Sequence, residues 1–417
     1  MRKLLIIGAD YFEIEIVRAA KEMGYYTIVT DNRINWDNAP AKKKADEAWN
    51  ISYSDIELLA EKCRENRVEG CIAGYSEFRV KCAKTLCDKL GFPFYIGNVN
   101  FVSINNKILF KEKCVQSGVS VPKLYKKDEI EYPVIIKPAD GDGSRGISIC
   151  YNFEQAKEGY ELALTFSAAK KVLIEQYIKA DEVMIYFTVH NEIIDLSAMC
   201  DRYMYRFDDR ITQLPVGYYF PSKHLDVFIK SNIQEFEKLI RSFEIENGLV
   251  AFQSFFIGNE AIPFDPTYRL DGSMSYHFCD IINNSNVLKM LINYSMNGTM
   301  GNDEIISAHE NPFFTIPSFE LPVLLGKGII SSVNGIEKIK QMPEVIYVFV
   351  KQKVGDEMKK TADFTQILCR IHLQSSNNKT LCECIGRIFD HLSVLDEKGN
   401  DMIINRGCYE SIIQTIY

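Results

Sequence analysis

The feature that most narrows the fold lies near the N-terminus, where short apolar runs alternate with helix-like stretches. Leu4-Leu5-Ile6-Ile7 is apolar throughout and ends at Gly8, the pattern of a strand buried on both faces. Residues 13–23 read as a helix that stops at Gly24, a residue suited to a C-cap. Tyr26–Thr30 is the next strand and ends at Asp31. Ser54 is expected to N-cap a helix reaching Glu65, with Glu57 three residues on as its capping box. Residues 68–73 read as a third strand, and Gly91-Phe92-Pro93-Phe94 breaks the pattern. Strands that alternate with helices at this spacing predict a parallel sheet with right-handed crossovers, here an α/β unit over residues 1–97.

The character of the chain changes after that break. Residues 134–137, 146–150 and 172–176 read as strands, and 107–117, 153–166 and 226–243 as helices. Residues 182–190 and 192–201 predict a hairpin turning near Asn191, and 249–256 with 261–264 a second one around Gly258-Asn259. This α+β mixture predicts a second domain over 98–310. After Asn311-Pro312 come short strands and turns, including a helix at 336–341 and a strand at Val345–Val350. They predict a small β-rich domain, a barrel or sandwich, over 311–417.

Composition excludes several functions. The chain has 417 residues, 47% hydrophobic and 25% charged, an ordinary globular balance able to form several cores. A net charge of −8 argues against a nucleic-acid binder, which carries a basic face. No apolar run approaches the roughly 20 residues that span a bilayer. The twelve cysteines include no C-x-x-C pair, and the strand-like start follows directly on Met1-Arg2-Lys3. A reducing, cytoplasmic setting is therefore expected, with the thiols as small buried hydrophobes.

Four groups of residues could carry chemistry. The first is Lys137-Pro138-Ala139-Asp140-Gly141-Asp142-Gly143-Ser144-Arg145-Gly146, a glycine-rich loop between two strands. No Gly-Lys-Ser/Thr follows, so it is not a Walker A loop, and no helix follows directly, so it is not a dinucleotide fingerprint. Its backbone N–H groups can turn onto phosphate oxygens, with Ser144 and Arg145 adding a hydroxyl and a cation; an exposed hairpin without a ligand is the plain alternative. The second is the pair Lys107 and Lys137. Lys137 ends an apolar strand, where a charge needs a partner, whereas Lys107 alone also suits a solvated helix start. The third is the hinge Glu175-Gln176-Tyr177-Ile178-Lys179-Ala180-Asp181-Glu182, whose carboxylates and backbone can pair with an adenine amino group and ribose hydroxyls, or simply flank a turn. The fourth joins Gln253 to Asp265-Pro266-Thr267-Tyr268-Arg269-Leu270-Asp271. Adjacent strands would set Gln253 beside Asp265, oxygen ligands suited to Mg²⁺ shared with phosphates, with Arg269 free to stabilise a transferring phosphoryl group or to form a local salt bridge.

This order of pieces resembles the ATP-grasp superfamily, in the branch of biotin carboxylase, carbamoyl-phosphate synthetase large chains and L-amino-acid ligases. The likeness covers essentially the whole chain, and the hinge is similar to that family's Glu-x-Tyr-Ile-x-Gly-x-Glu, with Ala180 in place of Gly. The resemblance implies that residues 98–310 are the ATP-grasp domain, with a mobile lid at about 121–178, and that 311–417 is a biotin-carboxylase-C-like domain. It implies that Lys107 and Lys137 hold the α- and β-phosphates, with Gly141, Gly143, Ser144, Arg145 and Gly146 in the lid over the triphosphate. Glu175 and the backbone of Tyr177 and Ile178 would face adenine, and Glu182 the ribose. Asp265 would be the metal carboxylate, beside Gln253 and Thr267, and Arg269 with Lys137 would be catalytic. His277 falls near the implied acceptor site or is a buried structural histidine. Thr267 stands where the family prefers Asn, and Gln253 where many members have Glu.

The implied activity is an ATP-dependent carboxylate–amine ligase working through an acyl phosphate, with ATP and Mg²⁺ (or Mn²⁺), on an amino acid or similar small carboxylate and an amine acceptor. Such a chain would bind no nucleic acid or membrane and is compatible with a homodimer. Asp201-Arg202-Tyr203-Met204-Tyr205-Arg206-Phe207-Asp208-Asp209-Arg210, rich in Arg and Tyr, could cradle an anionic or polar acceptor or form an ordinary surface strand. Two rival readings stand beside this one. Thr267 and Gln253 allow a weak or inactive ATP-binding regulatory relative. Gly8 and Asp31 allow an NAD-dependent oxidoreductase, although the second and third fingerprint glycines are missing.

Overall fold

The short apolar runs of the N-terminus pair in parallel. The structure, a computed structural model, describes residues 1–139, 146–206, 213–301, 310–359 and 364–416, with only the backbone of 98–100. Strands β1 (Lys3–Ile7), β2 (Tyr26–Thr30), β3 (Glu47–Trp49) and β4 (Gly70–Ile72) form a parallel sheet in the order β3-β2-β1-β4. Leu4 through Ile7 are fully buried, as a strand covered on both faces requires. Two local expectations are corrected. Asp55, not Ser54, caps the helix Ile56–Glu65: its Oδ1 accepts from the Leu58 N–H at 3.2 Å, while the Ser54 hydroxyl pairs with Ser52. An ionised carboxylate is the stronger acceptor for an orphan N–H. The strand expected at 68–73 is the fourth in the chain, because three-residue β3, with Glu47 in it, carries no apolar run to announce it.

Next comes the helix Lys107–Gln116, capped by Asn106, whose Oδ1 accepts from the N–H groups of Ile108 and Leu109. Strands β5 (Val134–Pro138), β6 (Ser148–Cys150) and β7 (Val172–Gln176) follow, antiparallel in the order β6-β5-β7. Val134, Ile136, Cys150 and Ile174 pack with Ala156 and Ala163 of the helix Phe153–Phe166. Alternation along β5 and β7 then sends Lys137 and Glu175 to the opposite face.

The largest element among the described residues is an eight-stranded sheet. It contains β8 (Asp181–His190), β9 (Ile193–Arg206), β10 (Gln213–Phe220), β11 (Gly248–Ile257) and β12 (Glu260–Thr267). Beyond it in the chain lie β13 (Ser318–Leu324), β14 (Gly328–Asn334), β15 (Val345–Val350), β16 (Glu357–Met358), β17 (Ile367–Gln374) and β18 (Ser393–Asp396). The order of the large sheet is β12-β11-β8-β9-β10-β13-β17-β15. The C-terminal part is β-rich as expected, but among the described residues it closes no barrel of its own. Three of its strands extend the central sheet through the β10–β13 pairing, leaving only β16-β14-β18 as a separate small sheet. The single helix expected over 226–243 is two, Leu225–Ser231 and Ile233–Ser242. They part at Asn232, whose side chain bonds Ala261 N–H and Asn259 carbonyl, each at 2.7 Å, and ties the break to the β11–β12 hairpin.

One face of the central sheet is apolar. Val183, Ile185, Phe187, Val250 and Phe252 point into the main core, against Phe110 and the helix that carries Phe236 and Leu239. Phe252 is fully buried and touches Phe110, Phe187 and Phe236 with ring centroids 5.3–6.2 Å apart. Phe110 lies between Lys107 and Lys111 on its helix, so this contact anchors the helix to the sheet. Replacing Phe252 by Ala is expected to destabilise the protein by about 3–5 kcal/mol, read from urea unfolding. A loss below about 1 kcal/mol would show that the helix is held by other means.

Candidate active site

Two ammonium groups and one carboxylate meet where helix Lys107–Gln116 crosses the polar face of β5 and β7. Lys137 Nζ lies 2.9 Å from Glu175 Oε2, and Lys111 Nζ lies 3.4 Å from Glu175 Oε1. All three residues are buried. Burial lowers the Lys111 pKa, and the Glu175 carboxylate beside it opposes that shift. Lys111 was not singled out from the sequence; the signal available was its position one helical turn beyond Lys107, which places both on one face of the helix.

The β11–β12 hairpin brings the fourth group together. Gln253 and Asp265 are direct cross-strand partners, and Gln253 Nε2 donates to Asp265 Oδ2 at 3.2 Å. Burial raises the Asp265 pKa; the charges of Lys107, Lys137 and Arg269 oppose this, and Glu77 adds to it. The cations acting on this carboxylate come from three parts of the chain: the capped helix, strand β5 and the segment after β12. Arg269 is held by Glu77, the first residue of helix Glu77–Leu90, through Nη2 at 2.5 Å and Nε at 2.6 Å, and its Nη1 donates to the Leu270 carbonyl at 2.7 Å. The N-terminal α/β unit thus contributes the residue that holds Arg269.

Strand register builds a polar row beside this cluster. Glu182 on β8 opposes Arg202 on β9, which opposes Tyr218 on β10; Tyr218 opposes Glu320 on β13, Glu320 opposes His372 on β17, and His372 opposes Tyr347 on β15. Direct partners share a face, so one side of an otherwise buried sheet carries a line of polar and ionisable groups. Arg202 Nη1 donates to Glu182 Oε2 at 2.9 Å, and Arg370, two residues from His372, is paired with Glu320. Burial pushes the Glu320 carboxyl up to about 8 against the pull of Arg370. Asp271 joins the row through Tyr186, whose hydroxyl donates to its Oδ2 at 3.3 Å, and through Ser273. Four buried atoms of this row, Arg202 Nε, Asp271 Oδ1, Glu320 Oε2 and His372 Nδ1, have no hydrogen-bond partner. Glu320, Arg370 and the pairing of Arg202 were missed in the sequence, because the strand order that joins them is set by residues far apart in the chain.

The remaining expected site residues fall as follows. Gly141, Gly143, Ser144 and Arg145 lie outside the described residues, as do 207–210 of the Arg/Tyr-rich segment. Gly146 has φ +73, and a Cβ there would meet Phe166 at 2.9 Å, so the loop end admits only glycine without strain. The Tyr177 N–H donates to the Pro133 carbonyl at 3.2 Å, leaving its carbonyl, not its N–H, for a ligand. Ile178 is buried, and Thr267 is buried opposite Ala251. Glu182 is held by Arg202 rather than standing alone on the hinge. His277 is packed against the rings of Tyr276, Tyr347 and His372.

Known proteins resemble the chain in both sequence and fold. Residues 104–252 match the ATP-grasp domain family. The 2-oxoglutarate carboxylase small subunit of Hydrogenobacter thermophilus is 29% identical over 205 residues, 43% of this chain and 43% of that one. The biotin carboxylase domain of the same carboxylase, solved with MgADP and bicarbonate, superposes with a TM-score of 0.79 at 17% identity, covering 99% of this chain and 94% of that one. The L-amino acid ligase of Bacillus licheniformis superposes at 0.77 and 14% identity, covering 95% and 99%. Residues 104–252 are thus similar to ATP-grasp domains, and the chain shares its fold with a biotin carboxylase domain and an amino-acid ligase. It matches half or less of the length of the curated relatives. No helix among the described residues is long and apolar enough to cross a membrane.

The burial of His277 has a consequence for stability. Burial lowers its pKa from 6.5 to about 4, against the pull of Glu15. Between these values the unfolded chain binds the proton and the folded chain does not, so stability is intact above pH 6.5 and falls as pH drops toward 4, by roughly 1.4 kcal/mol per pH unit at most. Urea midpoints from pH 7 to 4 are expected to fall less steeply in His277→Gln than in the wild type. Parallel curves would show that His277 does not titrate in this range.

Proposed function

We propose that this chain is an ATP-dependent ligase that activates a small carboxylate as an acyl phosphate and transfers the acyl group to an amine. The observation that carries the reading is the buried Lys111–Glu175–Lys137 cluster together with the Gln253–Asp265 pair, whose carboxyl feels the charges of Lys107, Lys137 and Arg269. A triphosphate needs several cations and tolerates few anions, and this cleft offers that balance. The relatives named above, a carboxylase subunit and an amino-acid ligase among the structures, support the same chemistry.

The residues fit a bound Mg²⁺ of a particular kind. Among the described residues, no group of three or more His, Cys, Asp or Glu could hold a metal by itself. A lone Asp265 with the Gln253 amide suits an ion taken mostly by phosphate oxygens and water, which is how Mg²⁺ is usually bound. When bound there, it would neutralise developing charge between the phosphates. The chain's own contribution is positional. Lys107 and Lys137 orient the phosphate chain, Asp265 fixes the metal side of the cleft, and Arg269, braced by Glu77, faces the transferring phosphoryl group. The carboxylate substrate attacks the γ-phosphorus, ADP leaves, and an amine then displaces phosphate from the acyl carbon.

The polar row supports the substrate class. Unpaired Asp271 and Glu320 oxygens next to Arg202 and Arg370 suit a small molecule carrying both an ammonium and a carboxylate, such as an amino acid. The test is carboxylate-dependent ADP release with Mg·ATP over a panel of amino acids and other small acids. Lys137→Ala and Asp265→Asn are expected to lower that rate by at least about 100-fold. Wild-type rates in both variants would contradict the assignment, and Mg·ATP binding without turnover on any acid would favour a non-catalytic nucleotide-binding relative.

A further inference from the structure

The buried group around Glu175 carries more positive charge than its own neutrality needs. Lys137 alone would compensate Glu175, and its ammonium already makes a 2.9 Å contact with Oε2. Lys111, 3% exposed, brings a second ammonium to 3.4 Å from Oε1, a distance at which neither Lys111 Nζ nor Glu175 Oε1 makes a hydrogen bond. Placing two like charges beside one buried carboxylate is costly unless a further anion arrives or one of the cations leaves. A purely structural ion pair would be better served by one lysine and an apolar residue at position 111.

We propose that Lys111 is a positioning residue that takes over Glu175 when Lys137 turns from Glu175 to a nucleotide phosphate. The inference rests on the nucleotide reading given above. Without Lys111, a phosphate that drew Lys137 away would leave Glu175 as an unpaired buried carboxylate, the least favourable arrangement for a charge in a protein interior. With it, closing the 3.4 Å gap to hydrogen-bonding distance satisfies two atoms that lack a partner in the present arrangement. Lys111 therefore acts through Glu175 and Lys137 and does not itself touch the nucleotide. Its place one turn beyond Lys107 lets a single helix, clamped by Phe110, deliver one cation to the cleft and a second to the carboxylate.

The test uses the full chain, isothermal titration with Mg²⁺ and a non-hydrolysable β,γ-imido analogue of ATP, and AMP as the control ligand. AMP has no β- or γ-phosphate with which to draw Lys137 away. Lys111→Met is expected to weaken binding of the triphosphate analogue by about tenfold or more, with AMP affinity changed by less than about twofold. Measured against Glu175→Gln alone, adding Lys111→Met is expected to cost little further affinity, because no buried carboxylate is then stranded. An unchanged affinity for the analogue in Lys111→Met, or equal losses for AMP and the analogue, would overturn the proposal. Should Lys111→Met alone fail to fold, the comparison is made in the Glu175→Gln background, where removing Lys111 should leave affinity unchanged; a tenfold loss there overturns it equally. If the wild-type chain binds neither nucleotide, the functional reading itself falls, and this inference with it.

Discussion

Two buried ammonium groups sharing one buried carboxylate set the terms for the rest of the cleft. Lys111, Glu175 and Lys137 come from a helix and two strands, and each is buried beside an opposite charge. Their meeting therefore depends on two placements: the antiparallel pairing of β5 with β7, and the docking of helix Lys107–Gln116 on the central sheet. The first follows from alternation, since burying Val134, Ile136 and Ile174 under helix Phe153–Phe166 leaves Lys137 and Glu175 on the other side. The second follows from Phe110, which stacks on Phe252 and Phe243 and so orients the lysines on its helix.

The central sheet shows the same division of labour. Its apolar face makes the main core, and its other face holds the cross-strand row from Glu182 to Tyr347. A sheet anchored on one side can carry costly polar groups on the other, because the hydrophobic side supplies stability over a large area. The participation of β13, β15 and β17 matters here. Were the C-terminal strands a separate barrel, Glu320 and Arg370 could not stand in line with Arg202. Likewise, Glu77 of the N-terminal unit braces Arg269, so that unit and the segment after β12 meet through one ion pair.

Much of this could be read in the residues themselves. The N-terminal strands were legible because a parallel strand needs a continuous apolar run, and Leu4 to Ile7 supply one. Gln253 and Asp265 were legible as neighbours because a short hairpin around Gly258-Asn259 fixes their register locally. Asp55 was overlooked as a cap because Ser54 and Glu57 offer a familiar pattern one residue away. Lys111 escaped notice because surface lysines are common on helices, and only packing shows that this one is buried. Glu320 and Arg370 could not be paired from sequence, since β13 and β17 meet each other and β10 through contacts between distant segments, and no local spacing records that choice.

The account stands most directly on where a nucleotide's phosphates go. A structure of the full chain with Mg²⁺ and a non-hydrolysable ATP analogue measures it. The account predicts the α- and β-phosphates within hydrogen-bonding reach of Lys107 and Lys137, with the metal on Asp265. Phosphates bound elsewhere, with Lys137 still paired to Glu175 and Asp265 bonded only to Gln253, would contradict it.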